Sequence, residues 1–305
     1  MTKVIEADTS FKVWWHLTRP HTLTASFVPV FLGTAIALAV ENQAINYLLF
    51  FAMLAASMLI QAATNMFNEY YDFKLGLDNE NSVGIGGTIV RHGVAPKTIM
   101  MIALSFYGIA MLLGIYICIA SSWWLVVVGL VCMLIGFLYT GGPYPIAYSP
   151  FGELVSGAVM GMGIVLISFF IQTKTVTLNA VLLSVPSMIL VGAIMLSNNI
   201  RDIVGDTEGG RKTMAILVGR HHAITILALF FIVSYSWIIG LILFDGLTPW
   251  SLLVFLSIKK PLDAIQLFRA KEQPLEVMPA MKFTAQTNTF FGFLLGIGII
   301  ISYFL

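Results

Sequence analysis

Charge is what this chain has least of. Only 10% of its 305 residues are Asp, Glu, Lys or Arg, against about 25% in an ordinary soluble domain, while 58% are hydrophobic. That balance excludes a disordered chain, and it leaves too little polar surface to coat a soluble core of this size. The net charge is only +1, a balance that hides a strong sidedness. Cysteine is also scarce. Cys118 and Cys132 both lie inside apolar runs and read as buried hydrophobes, not as a disulfide or a metal pair. His21, His92, His221 and His222 show no ligand spacing and read as interface residues, with His92 the one worth testing. No Walker loop, Ser-His-Asp order or His-Glu-x-x-His pattern occurs, and the glycine-rich stretch 84–87 resembles a phosphate loop only weakly.

What the chain does have is a series of apolar runs close to the roughly 20 residues that span a bilayer. Nine are expected, near 22–40, 46–66, 98–120, 122–140, 154–172, 178–197, 223–244, 249–267 and 288–305. The eighth is interrupted by Lys259, Lys260, Pro261 and Asp263, so it reads as a short or re-entrant segment. The expected fold class is therefore all-α: one polytopic membrane domain over 1–305 with about nine transmembrane helices. The N-terminus reads as no cleavable leader, because Glu6, Asp8 and Lys12 precede the first run.

If the nine spans alternate sides, one side collects every Lys and Arg of the sixteen except Lys174. The positive-inside rule makes that side the cytoplasm. The two longest loops on it close two apolar runs with related patterns. The first is Asn68-Glu69-Tyr70-Tyr71-Asp72-Phe73-Lys74-Leu75-Gly76-Leu77-Asp78, and the second is Asn198-Asn199-Ile200-Arg201-Asp202-Ile203-Val204-Gly205-Asp206. Asn68 and Asp72 recur as Asn198 and Asp202, 130 residues on. This offset predicts two four-helix pseudo-repeats, about 14–140 and 150–270, followed by a ninth span at about 288–305.

Carboxylates at the edge of hydrocarbon are costly, roughly 2.5–3.5 kcal/mol each at mid-bilayer. A matched pair of acidic sets therefore calls for a cation. Residues i and i+4 share a helix face, so Asn68 aligns with Asp72, and Asn198 with Asp202 and Asp206. These are hard oxygen ligands of the kind Mg²⁺ accepts while sharing its shell with substrate phosphates. Arg91, Arg201, Arg211 and Lys212 lie close to the acids, and Arg19 opens the first span. Between spans four and five, the Pro- and Gly-rich stretch from Tyr139 to Pro150 reads either as an interfacial turn or as a pocket wall beside the acidic loops.

Both acidic motifs together, in a nine-span pattern, resemble the UbiA-type intramembrane aromatic prenyltransferases across essentially the whole chain. Within that family the chain is similar to the 1,4-dihydroxy-2-naphthoate polyprenyltransferase branch of menaquinone biosynthesis. Arg19-Pro20-His21-Thr22-Leu23, Tyr139-Thr140-Gly141-Gly142-Pro143 and Met278-Pro279-Ala280-Met281 carry this likeness. The 4-hydroxybenzoate branch usually places a Lys-Arg pair after its Tyr-Pro; here Pro145 is followed by Ile146, Ala147 and Tyr148.

The resemblance implies Mg²⁺-dependent transfer of a polyprenyl group from its diphosphate to the naphthoate, with decarboxylation, in the bacterial cytoplasmic membrane. It implies catalytic and metal-holding roles for Asp72, Asp78, Asp202 and Asp206, with Asn68 and Asn198 as further oxygen ligands. Arg91, Arg201, Lys212, Arg19 and Tyr139 would bind substrate. Polyprenyl diphosphate, the naphthoate and the lipid bilayer are the implied partners, with no nucleic acid. Homogentisate or 4-hydroxybenzoate as acceptor, or an ion-coupled transporter, stand as alternatives.

Overall fold

A computed structural model describes residues 11–20, 22–77 and 87–305. All regular structure among them is helical. In chain order the helices are α1 (Phe11–Leu17), α2 (Thr24–Ala39), α3 (Tyr47–Lys74), α4 (Thr88–His92), α5 (Pro96–Ala120) and α6 (Leu125–Leu138). Then follow α7 (Gly152–Thr173), α8 (Leu178–Glu208), α9 (Met214–Val218), α10 (Arg220–Phe244), α11 (Lys259–Ala270) and α12 (Pro274–Phe304).

Six of these, α3, α5, α7, α8, α10 and α12, are long and apolar enough to cross a membrane. The 28 residues of α3 extend roughly 42 Å at 1.5 Å per residue, longer than the roughly 30 Å hydrocarbon core, so its acidic end reaches the interface. α2 and α6 are apolar but shorter. The interrupted eighth run becomes a 3₁₀ segment, Pro249–Ser257, followed by α11. The backbone is thus helical through most of each expected span. That satisfies its N–H and C=O groups internally, as a bilayer demands.

Large apolar side chains stand exposed along the outer helices, among them Leu112 and Ile119 on α5, Val127 on α6 and Leu243 on α10. In water such a belt would drive association; against lipid it is the expected outer surface. The chain is therefore an integral membrane protein. Burial is greatest along α8, which packs on α7, α10 and α12. Several glycines allow close approaches between helices, Gly33 and Gly161 among them. A Cβ on Gly33 of α2 would collide with the Val165 carbonyl of α7, and one on Gly161 with the Ser187 and Met188 backbone of α8. Gly161 sits in a π-helical stretch, Gly157–Gly163, which re-aims α7 beside α8.

At the end away from the acids, Asn46 caps α3 through its side chain, accepting from the Leu48 and Leu49 N–H groups. The Gln172 amide then exchanges two hydrogen bonds with the Asn46 backbone, at 2.9 and 3.1 Å. That link joins the end of α7 to the start of α3.

Candidate active site

The site forms where α3 and α8 run past the apolar core. Both are good helical sequences whose polar residues fall on one face near the C-terminal end, so tertiary packing aims two sets of oxygens at each other. Between the helices lies a cavity of about 290 Å³. Its walls are mainly apolar, for example Met53, Ile117, Leu125, Met160 and Ile194, and its polar end carries Arg19, Asn68, Tyr139 and Asn198. Among the described lining residues Arg19 alone is charged.

Arg19 itself has φ 50°, an uncommon left-handed conformation for a residue with a Cβ. The strain is stabilised locally: its carbonyl accepts from both the N–H and the hydroxyl of Thr22. Such strain concentrates at functional positions.

One turn beyond Asn68, the Asp72 carboxylate accepts from Arg211 Nη2 at 2.5 Å. The Asp206 carboxylate accepts from Nη1 of the same guanidinium at 2.9 Å. One cation therefore holds acids from α3 and α8, and its side chain is only 14% exposed. Burial alone depresses the Arg211 pKa, but Asp72 and Asp206 outweigh it and hold the group above its ordinary value. Arg211 is a permanent charge here. Its guanidinium also stacks over the Tyr148 ring, 5.3 Å from the centroid.

Asp202 is engaged differently. Arg201, its immediate neighbour, donates to both carboxylate oxygens at 2.6 and 2.5 Å, and the Asp202 side chain is 32% exposed. Lys212 follows Arg211 in the linker after α8, where its backbone N–H donates to the Tyr148 carbonyl at 3.1 Å. Three residues of the stretch from Tyr139 to Pro150 meet this region, while Tyr144 stands exposed. Tyr139 lines the cavity, Thr140 donates to Asn68 Oδ1 at 2.7 Å, and Tyr148 packs on Arg211.

Arg91 sits in the last turn of α4. That helix is tied to α3 by Glu69, a nearly fully buried carboxylate that accepts from the Gly87 and Ile89 N–H groups at 2.9 and 3.2 Å. Asp78 and His21 lie outside the described residues.

The structure thus brings Asn68, Asp72, Asn198, Asp206, Arg19 and Tyr139 to one region, with the Arg201–Asp202 pair and Lys212 beside them. Sequence reasoning missed the bridging role of Arg211, the clasp made by Glu69, and the buried contact of Asn199 Nδ2 with Glu153 Oε1 at 2.8 Å. The only local signal for Arg211 was its place a few residues after the second acidic set.

For a divalent cation the donor set is suitable. Two carboxylates from different helices already converge on a single positive group, so Arg211 occupies the electrostatic position of a bound cation. Among the described residues no three His, Cys, Asp or Glu side chains converge directly as a metal cage. That matches an ion which takes one or two carboxylates and completes its shell with water and phosphate oxygens.

The described residues thus form an all-helical membrane fold in which the acidic ends of two helices meet near the polar end of an apolar cavity. The profile of the UbiA prenyltransferase family matches residues 26–284, and the chain belongs to that family. A 1,4-dihydroxy-2-naphthoate octaprenyltransferase from Bacillus subtilis (strain 168) is 60% identical over 96% of this chain and 94% of its own length. Among solved structures, the apo form of a UbiA homolog from Aeropyrum pernix K1 superimposes with a TM-score of 0.68 at 16% identity, over 92% of this chain and 98% of that one. A UbiA homolog from Archaeoglobus fulgidus bound to GPP and Mg²⁺ does so with a TM-score of 0.64 at 14% identity, over 95% and 99%. These two likenesses establish the fold.

Proposed function

We propose that the chain transfers a polyprenyl group from polyprenyl diphosphate to 1,4-dihydroxy-2-naphthoate, releasing diphosphate and CO₂ and forming demethylmenaquinol, the reduced form of demethylmenaquinone. The observation that carries this reading is the convergence of Asp72 and Asp206 on one cation above a mainly apolar cavity. The name of the Bacillus subtilis relative supports the choice of acceptor. The bound molecules of the Archaeoglobus fulgidus homolog support a prenyl diphosphate with Mg²⁺.

In this reading Asp72, Asp202 and Asp206, with Asn68 and Asn198, would hold two or more Mg²⁺ ions, each taking one or two of the carboxylates, and Asp78 would join them from outside the described residues. Bound Mg²⁺ supplies positive charge where negative charge develops on the departing diphosphate. Arg211, Arg201, Arg91 and Lys212 take up the remaining charge of that leaving group, the arginines by forked contacts and the lysine as a point charge. The prenyl carbon–oxygen bond breaks with its electron pair on diphosphate. A ring carbon of the naphthoate forms the new carbon–carbon bond, and CO₂ and a proton leave. The apolar walls, including Met53, Ile117 and Leu125, exclude water from the allylic cation and accommodate the tail. Arg19 and Tyr139 bind substrate at the polar end.

Nine membrane crossings, arranged as two four-helix repeats and a ninth helix, belong to the same proposal. So does an active site facing the bacterial cytoplasm, where the acidic ends share a side with the basic loops.

The test uses purified protein in lipid nanodiscs, one polyprenyl diphosphate, and three acceptors in parallel. Demethylmenaquinol, read as demethylmenaquinone after oxidation in air, should form with the naphthoate and Mg²⁺, and should disappear with chelator. Prenylation of 4-hydroxybenzoate or homogentisate in preference to the naphthoate would overturn the acceptor assignment.

A further inference from the structure

Several cations of this chain are matched within it. Lys271 pairs with Glu276 at 3.0 Å, Lys174 donates to the Ala120 carbonyl at 2.7 Å, and Arg220 donates to the carbonyls of Ile200, Phe268 and Lys271. The outward face of α11 is different. Lys259, Leu262, Asp263 and Gln266 follow the spacing i, i+3, i+4, i+7 of one helix face. Asp263 is partly exposed and the other three are exposed, Leu262 at 63%. Among the described residues, none of the three polar side chains in this stripe has an ion-pair or hydrogen-bond partner. Lys259 and Asp263 stand one turn apart without pairing, and base before acid is the poorer order along a helix. Lys260 is accommodated inside the chain, its Nζ 5.4 Å from the Phe283 ring centroid and 6.0 Å from that of Phe290.

α11 packs along α12, which is long enough to cross a membrane. Unmatched charges that face lipid are rare and costly, so this stripe calls for a partner. We infer that it is the contact face between two copies of the chain in the membrane, with each Lys259 paired to Asp263 of the partner subunit. Two copies inserted the same way are related by a two-fold axis along the membrane normal, so one patch meets itself. The offset between base and acid is about 6 Å along the helix, a distance that a lysine side chain covers. Leu262 then lies near the axis. The Gln266 amides, which both donate and accept, can bond to each other. An anionic phospholipid would satisfy Lys259 but would set a second negative charge beside Asp263, and an acyl chain would satisfy neither. A second copy satisfies both. The contact rests on the eighth crossing proposed above; the prenyl-transfer site on α3 and α8 is separate from it.

Cysteine cross-linking in native membranes tests the contact. Leu262→Cys is oxidised with copper phenanthroline beside Leu112→Cys, an exposed position on α5, and beside wild type, which controls for Cys118 and Cys132. A disulfide-linked dimer should form with Leu262→Cys alone. In that background Lys259→Asp or Asp263→Lys sets like charges opposite each other and should lower the cross-linked fraction roughly tenfold. Co-expressing the two variants should restore it, because each chain then meets the opposite charge, a recovery that misfolding would not give. Equal cross-linking at Leu112→Cys, indifference to the single swaps, or no recovery on co-expression would overturn the contact. So would a monomer that retains phosphatidylglycerol in its mass spectrum and loses it on Lys259→Gln, which would give the stripe to lipid. Labelling of Leu262→Cys by a membrane-impermeant maleimide would place α11 in water, and the eighth crossing would fail along with the contact. Gln266→Cys replaces Leu262→Cys if that variant does not accumulate.

Discussion

The ends of α3 and α8 share the spacing Asn-x-x-x-Asp, yet their acids are neutralised in different ways. On α8, Asp202 is paired by Arg201, the residue next to it. On α3, Asp72 has no such neighbour in contact, and its cation, Arg211, arrives from the linker after α8. The first acidic set is therefore completed by the second half of the chain, while the second set carries its own cations. A site assembled across two helices in this way couples the chemistry to the packing that holds the helices together. Removing an acid from α3 should disturb both, and removing its counterpart from α8 should disturb mainly the chemistry.

Asparagine replacements give the largest effects and test this asymmetry directly. Asp72→Asn and Asp202→Asn should each lower kcat/KM by roughly 10²- to 10³-fold, the usual range for one electrostatic contact in a transition state. Thermal unfolding should separate them. Asp72→Asn leaves the buried Arg211 with Asp206 alone and should lower Tm clearly. Asp202→Asn alters a partly exposed pair of a kind worth about 0–1 kcal/mol and should leave Tm almost unchanged. Equal Tm losses would mean that the two halves are built alike after all.

Arg211 is the next position to break. Arg211→Gln leaves two facing carboxylates without their cation, a change that typically costs about 3–5 kcal/mol when the group is buried. In compensation, Mg²⁺ should raise the Tm of Arg211→Gln more than that of wild type, because an ion can take the place of the guanidinium between Asp72 and Asp206. kcat/KM should fall roughly tenfold to a hundredfold. Arg211→Lys should recover little, since an ammonium cannot reproduce the fork that reaches Asp72 with one nitrogen and Asp206 with the other. A variant whose Tm ignores Mg²⁺ would separate the acid pair from metal binding.

The helical runs and the two asparagine–aspartate faces were legible in the sequence because each is a local matter: run length, and a period that puts i and i+4 on one side. The eighth span was legible as irregular for the same reason, through Lys259, Lys260 and Pro261. Arg211 looked like one base among several near the acids. Its bridging role depends on a contact between positions 139 residues apart in sequence, which no local pattern encodes. Glu69 sat in plain view inside the first motif, but its partners are backbone N–H groups of Gly87 and Ile89, and backbone groups carry no residue signal.

The smallest effect bears on Asn68. Asn68 Oδ1 accepts from Thr140 Oγ1, contributed by the turn after α6. A carbonyl oxygen has two acceptor positions, so that bond leaves one free for an ion and fixes the direction in which it points. Thr140→Val removes the donor while keeping the shape of a fully packed side chain. If Asn68 holds Mg²⁺, the Mg²⁺ concentration needed for half-maximal activity should rise by roughly tenfold, the lower end of what loss of such an orienting partner costs a metal site, with kcat at saturating Mg²⁺ nearly unchanged. If Asn68 serves packing alone, Thr140→Val should lower Tm slightly and leave the Mg²⁺ dependence where it was, which would confine the metal to the carboxylates.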